Sequence, residues 1–271
     1  MSDAANAETL PPEELRAYVA DYPWPRSIQA RAYARALFGP RPSPELTKFV
    51  IFSSGRSGST LLTDLCNCLP NLHCDQEILA QPVLKPRFWV ESHRRQHRTS
   101  HYGFKVKIYQ LSQAQGIDDA GAFLQDLVRH NWKVVYLKRS NVVRQVLSNL
   151  AAFRNAQSHY LGDEAPPRTP IVVNPEVVLQ GVRNRSAIHA DEAMALEGVG
   201  HVAISYEADL EDSAAQQATL DRLAAYLGLP TAVATTARKR INVGTLQELV
   251  ENYDELATAL AGTPWELTPR S

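Results

Sequence analysis

Short apolar runs alternate along the chain with stretches whose apolar residues recur every three or four positions. Lys48-Phe-Val-Ile-Phe-Ser53 has the length and composition of a buried parallel strand. The period then changes: Leu61, Leu62, Leu65, Cys66 and Leu69 share one face of a helix that begins at Ser59 and is stopped by Pro70-Asn71. Phe104-Lys-Val-Lys-Ile-Tyr109 alternates with period two, and residues 118–130 follow with Ala122, Phe123, Leu127 and Val128 at helical spacing. Trp132-Lys-Val-Val-Tyr-Leu137 predicts the next strand, and a helix from Asn141 collects Val142, Val143, Val146, Leu147 and Leu150 on one side. His201-Val-Ala-Ile-Ser-Tyr206 predicts another, followed by a helix to Leu227 that Gly228 and Pro230 terminate. Repeated strand–helix units predict an α/β fold, a parallel sheet flanked by helices, with ligands at the carboxyl ends of the strands.

Two stretches break the alternation. Residues 86–102, PRFWVESHRRQHRTSHY, are dense in Arg and His, and residues 162–175, GDEAPPRTPIVVNP, are proline-rich. Both are expected as loops or irregular helices over the ligand-binding edge. Ahead of the first strand, two helix-like stretches end in the punctuation GPRPSPE, which predicts an N-terminal helical appendage over residues 1–45 of a single domain spanning 1–271. The appendage either covers the core or forms a homodimer contact, a choice its pattern leaves open.

Composition changes this picture in a few respects. With 28 Lys+Arg against 29 Asp+Glu the net charge is −1, so the chain lacks the broad basic field of a nucleic-acid binder and must hold any anionic ligand locally. A hydrophobic content of 44% excludes disorder as the overall state. No apolar run approaches the ~18 residues of a membrane span, and the acidic N-terminus lacks the basic region of a secretory signal. Cys66, Cys68 and Cys74 cannot all pair and lack a second ligand cluster at zinc spacing, so they are expected as reduced thiols in a cytoplasmic protein.

The sharpest candidate chemistry is Ser53-Ser-Gly-Arg-Ser-Gly-Ser-Thr-Leu-Leu62, set between a predicted strand and helix. Glycines let successive backbone N–H groups turn inward, and the helix N-terminus adds partial positive charge, which together make a cradle for a phosphate-like anion. Arg56 can neutralise that anion, and Ser57, Ser59 and Thr60 can donate to its oxygens. An ordinary strand-to-helix turn also wants glycine. The Walker pattern requires Lys after the second glycine, whereas Ser59 follows Gly58, and the strand at Trp132 leads into Lys138-Arg139 and not into an acidic metal ligand. A kinase-like enzyme using ATP and a non-catalytic nucleotide-binding module are the alternatives.

At these residues the chain resembles sulfotransferases, in particular the bacterial carbohydrate sulfotransferases of the nodulation-factor and trehalose type. Arg56-Ser-Gly-Ser-Thr-Leu-Leu62 is similar to their 5′-phosphosulfate loop. Further similar pieces follow in order: Pro70-Asn71 before Glu77-Ile78, Gly103-Phe-Lys-Val106, Leu137-Lys-Arg-Ser-Asn141 with Arg144-Gln145 and Ser148, Tyr206-Glu207 before Leu227-Gly-Leu-Pro230, and Asn252-Tyr-Asp-Glu255 with Leu260-Ala-Gly-Thr263. The resemblance covers residues 48–271 and implies a P-loop nucleotide-hydrolase-like fold with 3′-phosphoadenosine-5′-phosphosulfate as donor co-substrate. It implies that Arg56, Ser57, Gly58, Ser59 and Thr60 hold the 5′-phosphate and sulfuryl group, with Arg56 standing where a Lys is common. Arg139 and Ser148 would hold the 3′-phosphate, although their separation is one position longer than the family commonly shows. Transfer to a hydroxyl of a carbohydrate or other small metabolite, without metal, is the implied reaction.

Such a reaction needs a base for the acceptor's proton and cations for the leaving phosphate. The resemblance points to Glu77 as the base, with Asp75 and His101 as competing positions, and to Arg56 for the leaving group. Lys105 shares one side of its strand with Lys107, so it reads either as part of a half-exposed edge or as a cation at the acceptor site. Trp89 could stack on a sugar face, and Arg87, Arg94, Arg95 and Arg98 could favour an acidic acceptor. The cluster Arg238-Lys-Arg240 matches a donor clamp in composition only and is equally a solvated charge run.

Overall fold

A computed structural model describes residues 23–40, 47–97, 99–154, 160–161, 170–236, 238–239 and 244–267. In chain order these form α1 (Arg26–Phe38), β1 (Lys48–Ser53), α2 (Ser59–Cys66), β2 (Leu72–Asp75), α3 (Pro86–Gln96) and β3 (His101–Lys107), followed by a π-helical turn, Gln110–Ala114. Next come α4 (Ala120–Arg129), β4 (Trp132–Lys138), α5 (Val142–Arg154), β5 (Tyr160–Leu161), α6 (Pro175–Ala195) and β6 (His201–Ser205). The last elements are α7 (Tyr206–Asp209), α8 (Ser213–Leu227), β7 (Arg238–Lys239), α9 (Leu246–Leu249) and α10 (Tyr253–Leu260).

Five strands make one all-parallel sheet in the order β2-β3-β1-β4-β6. Register aligns Ser53 with Lys107 on one side and Leu137 on the other, so β1, β3 and β4 end level and form one carboxyl rim. The pleat sends Val50, Phe52, Phe104 and Val106 to the face covered by α1, α3 and α4, while Phe49, Ile51, Val135 and Leu137 meet α2 and α8. Helices cover both faces, which is why these strands read as continuous apolar runs. A third apolar cluster joins α5, α6, α9 and α10 through Val146, Val178, Val182, Leu246 and Leu256.

The structure corrects several expectations. Residues 72–75, to which the sequence pattern assigns no element, are the edge strand β2, so β3 is interior and Lys105 is buried at 3% exposure, not half-exposed. Residues 86–96 are a regular helix whose Trp89 is buried, donates Nε1–H to the Ile78 carbonyl at 2.9 Å and packs on Trp24; it cannot stack on an acceptor. Arg87 of α3 pairs with Asp126 of α4 at 3.2 Å, and Arg94 and Arg95 both pair with Glu91 within α3. Helix α1 packs on the same helix, with Arg35 donating to Gln96 Oε1 at 2.9 Å. Arg238 and Lys239 pair as backbone with Leu161 and Tyr160, while Arg98, Arg240, residues 1–22 and residues 162–169 lie outside the described residues. Among the described residues no helix is long and apolar enough to cross a membrane. Cys66, Cys68 and Cys74 are free thiols.

Candidate functional site

Residues 54–58 turn the chain from the end of β1 into α2 at the centre of the carboxyl rim. Two positions carry left-handed backbone, Arg56 at φ 56° and Gly58 at φ 94°. At Gly58 the geometry excludes other residues twice over, because a Cβ there would lie 2.5 Å from the Tyr206 ring. Gly58 is also the N-cap of α2 and offers no side-chain acceptor, so the first N–H groups of the helix keep no cap of their own. A non-glycine residue held at positive φ costs of order 1–3 kcal/mol, and it is held here by its surroundings. Gln145 of α5, fully buried, donates to the Gly55 carbonyl at 2.6 Å and to Ser54 Oγ at 3.2 Å, and Ser57 Oγ donates to the Ser54 carbonyl at 2.8 Å.

The predicted donor residues meet on this loop. Arg56 Nη2 donates to Ser148 Oγ at 3.1 Å, and the Arg139 guanidinium lies 3.5 Å from the Arg56 carbonyl. Arg139 also stacks over Tyr206 at 4.6 Å and faces Glu207 at 3.5 Å. Glu207 accepts from the backbone N–H groups of Ser140 and Asn141 at 2.8 and 3.1 Å, fixing the start of α5. Arg139, Arg144 and Ser148 line one narrow cleft against Leu147, Ile171 and Leu246. The two anion-binding groups expected from sequence thus adjoin each other through the Arg56 side chain.

On the other flank, Lys105 Nζ donates to Thr60 Oγ1 at 2.8 Å and sits 3.1 Å from Glu77 Oε1. Lys107 Nζ lies 3.3 Å from Glu77 Oε2, which also accepts from Gln110 Nε2 at 2.7 Å. Burial works against the ionised carboxylate of Glu77, but Lys107 and Lys105 overcome it and hold its pKa at about 2. Burial lowers the pKa of Lys105, partly offset by Glu77.

A search against protein-family models finds no match, and no curated protein matches the chain. Among solved structures the chain is similar to mouse sulfotransferase SULT7A1 complexed with PAP, at 12% identity over 85% of this chain and 88% of that one, with a TM-score of 0.46.

The rival positions for the base are elsewhere. His101 opens β3 at the opposite end of the sheet and receives the Thr47 backbone N–H at 3.4 Å. Asp75 faces α3, accepting from Tyr102 OH at 2.7 Å, on the face opposite Lys105. Sequence reasoning passed over Lys107, Gln110, Gln145 and Glu207 as site members. Gln145 stands three residues before Ser148, one helical turn, which was the available signal.

Proposed function

We propose that the chain transfers a sulfuryl group from 3′-phosphoadenosine-5′-phosphosulfate to a hydroxyl of a carbohydrate or another small hydroxylated metabolite. The observation that carries this reading is the bond from Lys105 Nζ to Thr60 Oγ1. Thr60 stands two residues after Gly58, the place at which the Walker pattern presents a hydroxyl to magnesium. Here that hydroxyl meets a buried ammonium, which supports anion transfer assisted by side-chain cations. The cradle fits a donor of this kind: an uncapped helix N-terminus, a left-handed Arg56, and Ser148 with Arg139 one side chain away.

When bound, the donor supplies an activated sulfuryl group whose leaving group is a phosphate. Residues 56–60 would bind that phosphate, with Arg56 taking up the charge that develops as the bridge breaks. Arg139 and Ser148 would hold the 3′-phosphate. Glu77 is ionised throughout the neutral range and would accept the acceptor's proton at a carboxylate oxygen. A carboxylate this acidic is a weak base, so the proton moves late, once bonding to sulfur has made the hydroxyl acidic. Lys105, bonded to both Thr60 and Glu77, aligns the two flanks. The three free thiols support a reducing compartment such as the cytoplasm.

Calorimetric titration with 3′,5′-adenosine bisphosphate, beside ATP with magnesium, tests the reading. Micromolar bisphosphate binding that survives chelator and exceeds ATP binding is expected. Preference for magnesium-ATP would replace it with a kinase-like reading, and tight bisphosphate binding without turnover on any hydroxyl acceptor would replace it with a binding module.

A further inference from the structure

The histidine-rich segment that the transfer chemistry does not use converges on one carboxylate. His73 and Asp75 alternate onto the same side of edge strand β2, and His93 and His97 lie one turn apart at the end of α3. His73 Nε2 is 2.9 Å from Asp75 Oδ1, while His93 Nδ1 and His97 Nε2 are 3.4 and 3.6 Å from Oδ2. One ligand atom each from His73, Asp75 and His97 lies within 4.8 Å of the others. Bonds of 2.0–2.2 Å to a tetrahedral ion place neighbouring ligand atoms about 3.4 Å apart; here His73 and His97 approach different oxygens of Asp75 at 2.9 and 3.6 Å, so a small side-chain rotation brings one oxygen to both.

We propose that His73, Asp75 and His97 form a binding site for one divalent transition-metal ion of the zinc class, clamping the end of α3 to the edge of the sheet. Imidazole nitrogen with a single carboxylate oxygen selects that class over calcium or magnesium, which prefer all-oxygen shells. The His73 and His97 rings are stacked at 3.6 Å, so one of them turns about its Cβ–Cγ bond to point its lone pair at the ion, along a soft torsion. Tyr102 OH, donating to Asp75 Oδ2 at 2.7 Å, and His93 brace the carboxylate as outer partners of a metal ligand commonly do. His73 and His97 remain a third and a quarter exposed, which gives an ion an entry path and leaves room for a water as fourth ligand. The site is separate from Glu77, which faces the opposite side of the sheet with Lys105.

The test uses the full-length chain, stripped with chelator and titrated with zinc chloride by calorimetry. One ion per chain with a dissociation constant in the micromolar range or tighter is expected, and His73→Ala and His97→Ala each weaken it at least tenfold. Cobalt loading reads the same site without any variant: visible d–d absorption without a sulfur charge-transfer band is expected, and Cys68→Ser leaves it unchanged. No saturable binding to folded chain, full affinity in the double variant, or a thiolate band would overturn the proposal; in the first case the cluster is a proton-filled hydrogen-bond network. None of these readouts involves nucleotide or acceptor, so the outcome is independent of the transferase reading.

Discussion

Arg56 carries more of the site than any other residue, because its backbone, its carbonyl and its guanidinium each do something different. The left-handed backbone shapes the turn, the carbonyl faces Arg139, and the side chain reaches Ser148. Arg56→Ala should lower turnover by about 10²- to 10³-fold, the usual effect of removing a positioned donor to developing charge, and weaken bisphosphate binding measured by calorimetry. Glu77→Gln separates chemistry from binding: turnover should fall by about 10²-fold while bisphosphate affinity stays unchanged. Undiminished turnover in that variant would show that Glu77 is not the proton acceptor. Arg56 stands out in the sequence because a glycine-flanked Arg between strand and helix is a local pattern, whereas Glu77 was reached only through the family resemblance, with Asp75 two residues away as a competitor. Lys105 could be located but not understood, because alternation alone cannot say whether the second face of a strand meets water or, as here, Thr60 and Glu77.

Among the elements, the strand–turn–helix unit of β1 and α2 was legible nearly to the residue, because a six-residue apolar run, two glycines and a helical stripe all agree. Strand β2 was not: its four residues, LHCD, alternate as a strand does, but a run this short does not stand out, and its pairing with β3 is purely tertiary. Helix α6 was missed for a different reason: its inward face includes Arg185 and Glu192, both buried, which interrupts the apolar stripe. Glu192 accepts from Tyr136 OH at 3.1 Å, so this buried carboxyl group has a partner that no local pattern displays. The turn into α2 also makes the sharpest element-scale prediction. Gly58→Ala must adopt φ near 94° and displace the Tyr206 ring, under which Arg139 stacks. The backbone alone costs about 1–2 kcal/mol. A urea melt should show at least that loss, and the moved ring should weaken bisphosphate binding as well.

At the scale of the whole molecule, the sheet divides two apolar layers, and the charged groups that matter gather at its carboxyl rim and its β2 edge. That placement ties folding to acid. Glu77 falls from its ordinary 4.5 to about 2 in the folded chain, so the unfolded chain binds its proton first as pH drops. The stabilisation is therefore complete above pH 4.5 and lost progressively between 4.5 and 2. Asp75, held low against burial by His93, Tyr102 and His73, acts in the same direction. Burial lowers the pKa of Lys105 as well, partly offset by Glu77. Allowing for its coupling to the two lysines, Glu77 should contribute about 2 kcal/mol. Glu77→Gln should flatten stability between pH 5 and 3, read by urea midpoints at fixed pH, while lowering the value at pH 7 by leaving Lys105 buried without its carboxylate. An unchanged slope in that variant would mean that Lys105 and Lys107 do not hold Glu77 ionised, and the two flanks of the loop would then not be coupled through it.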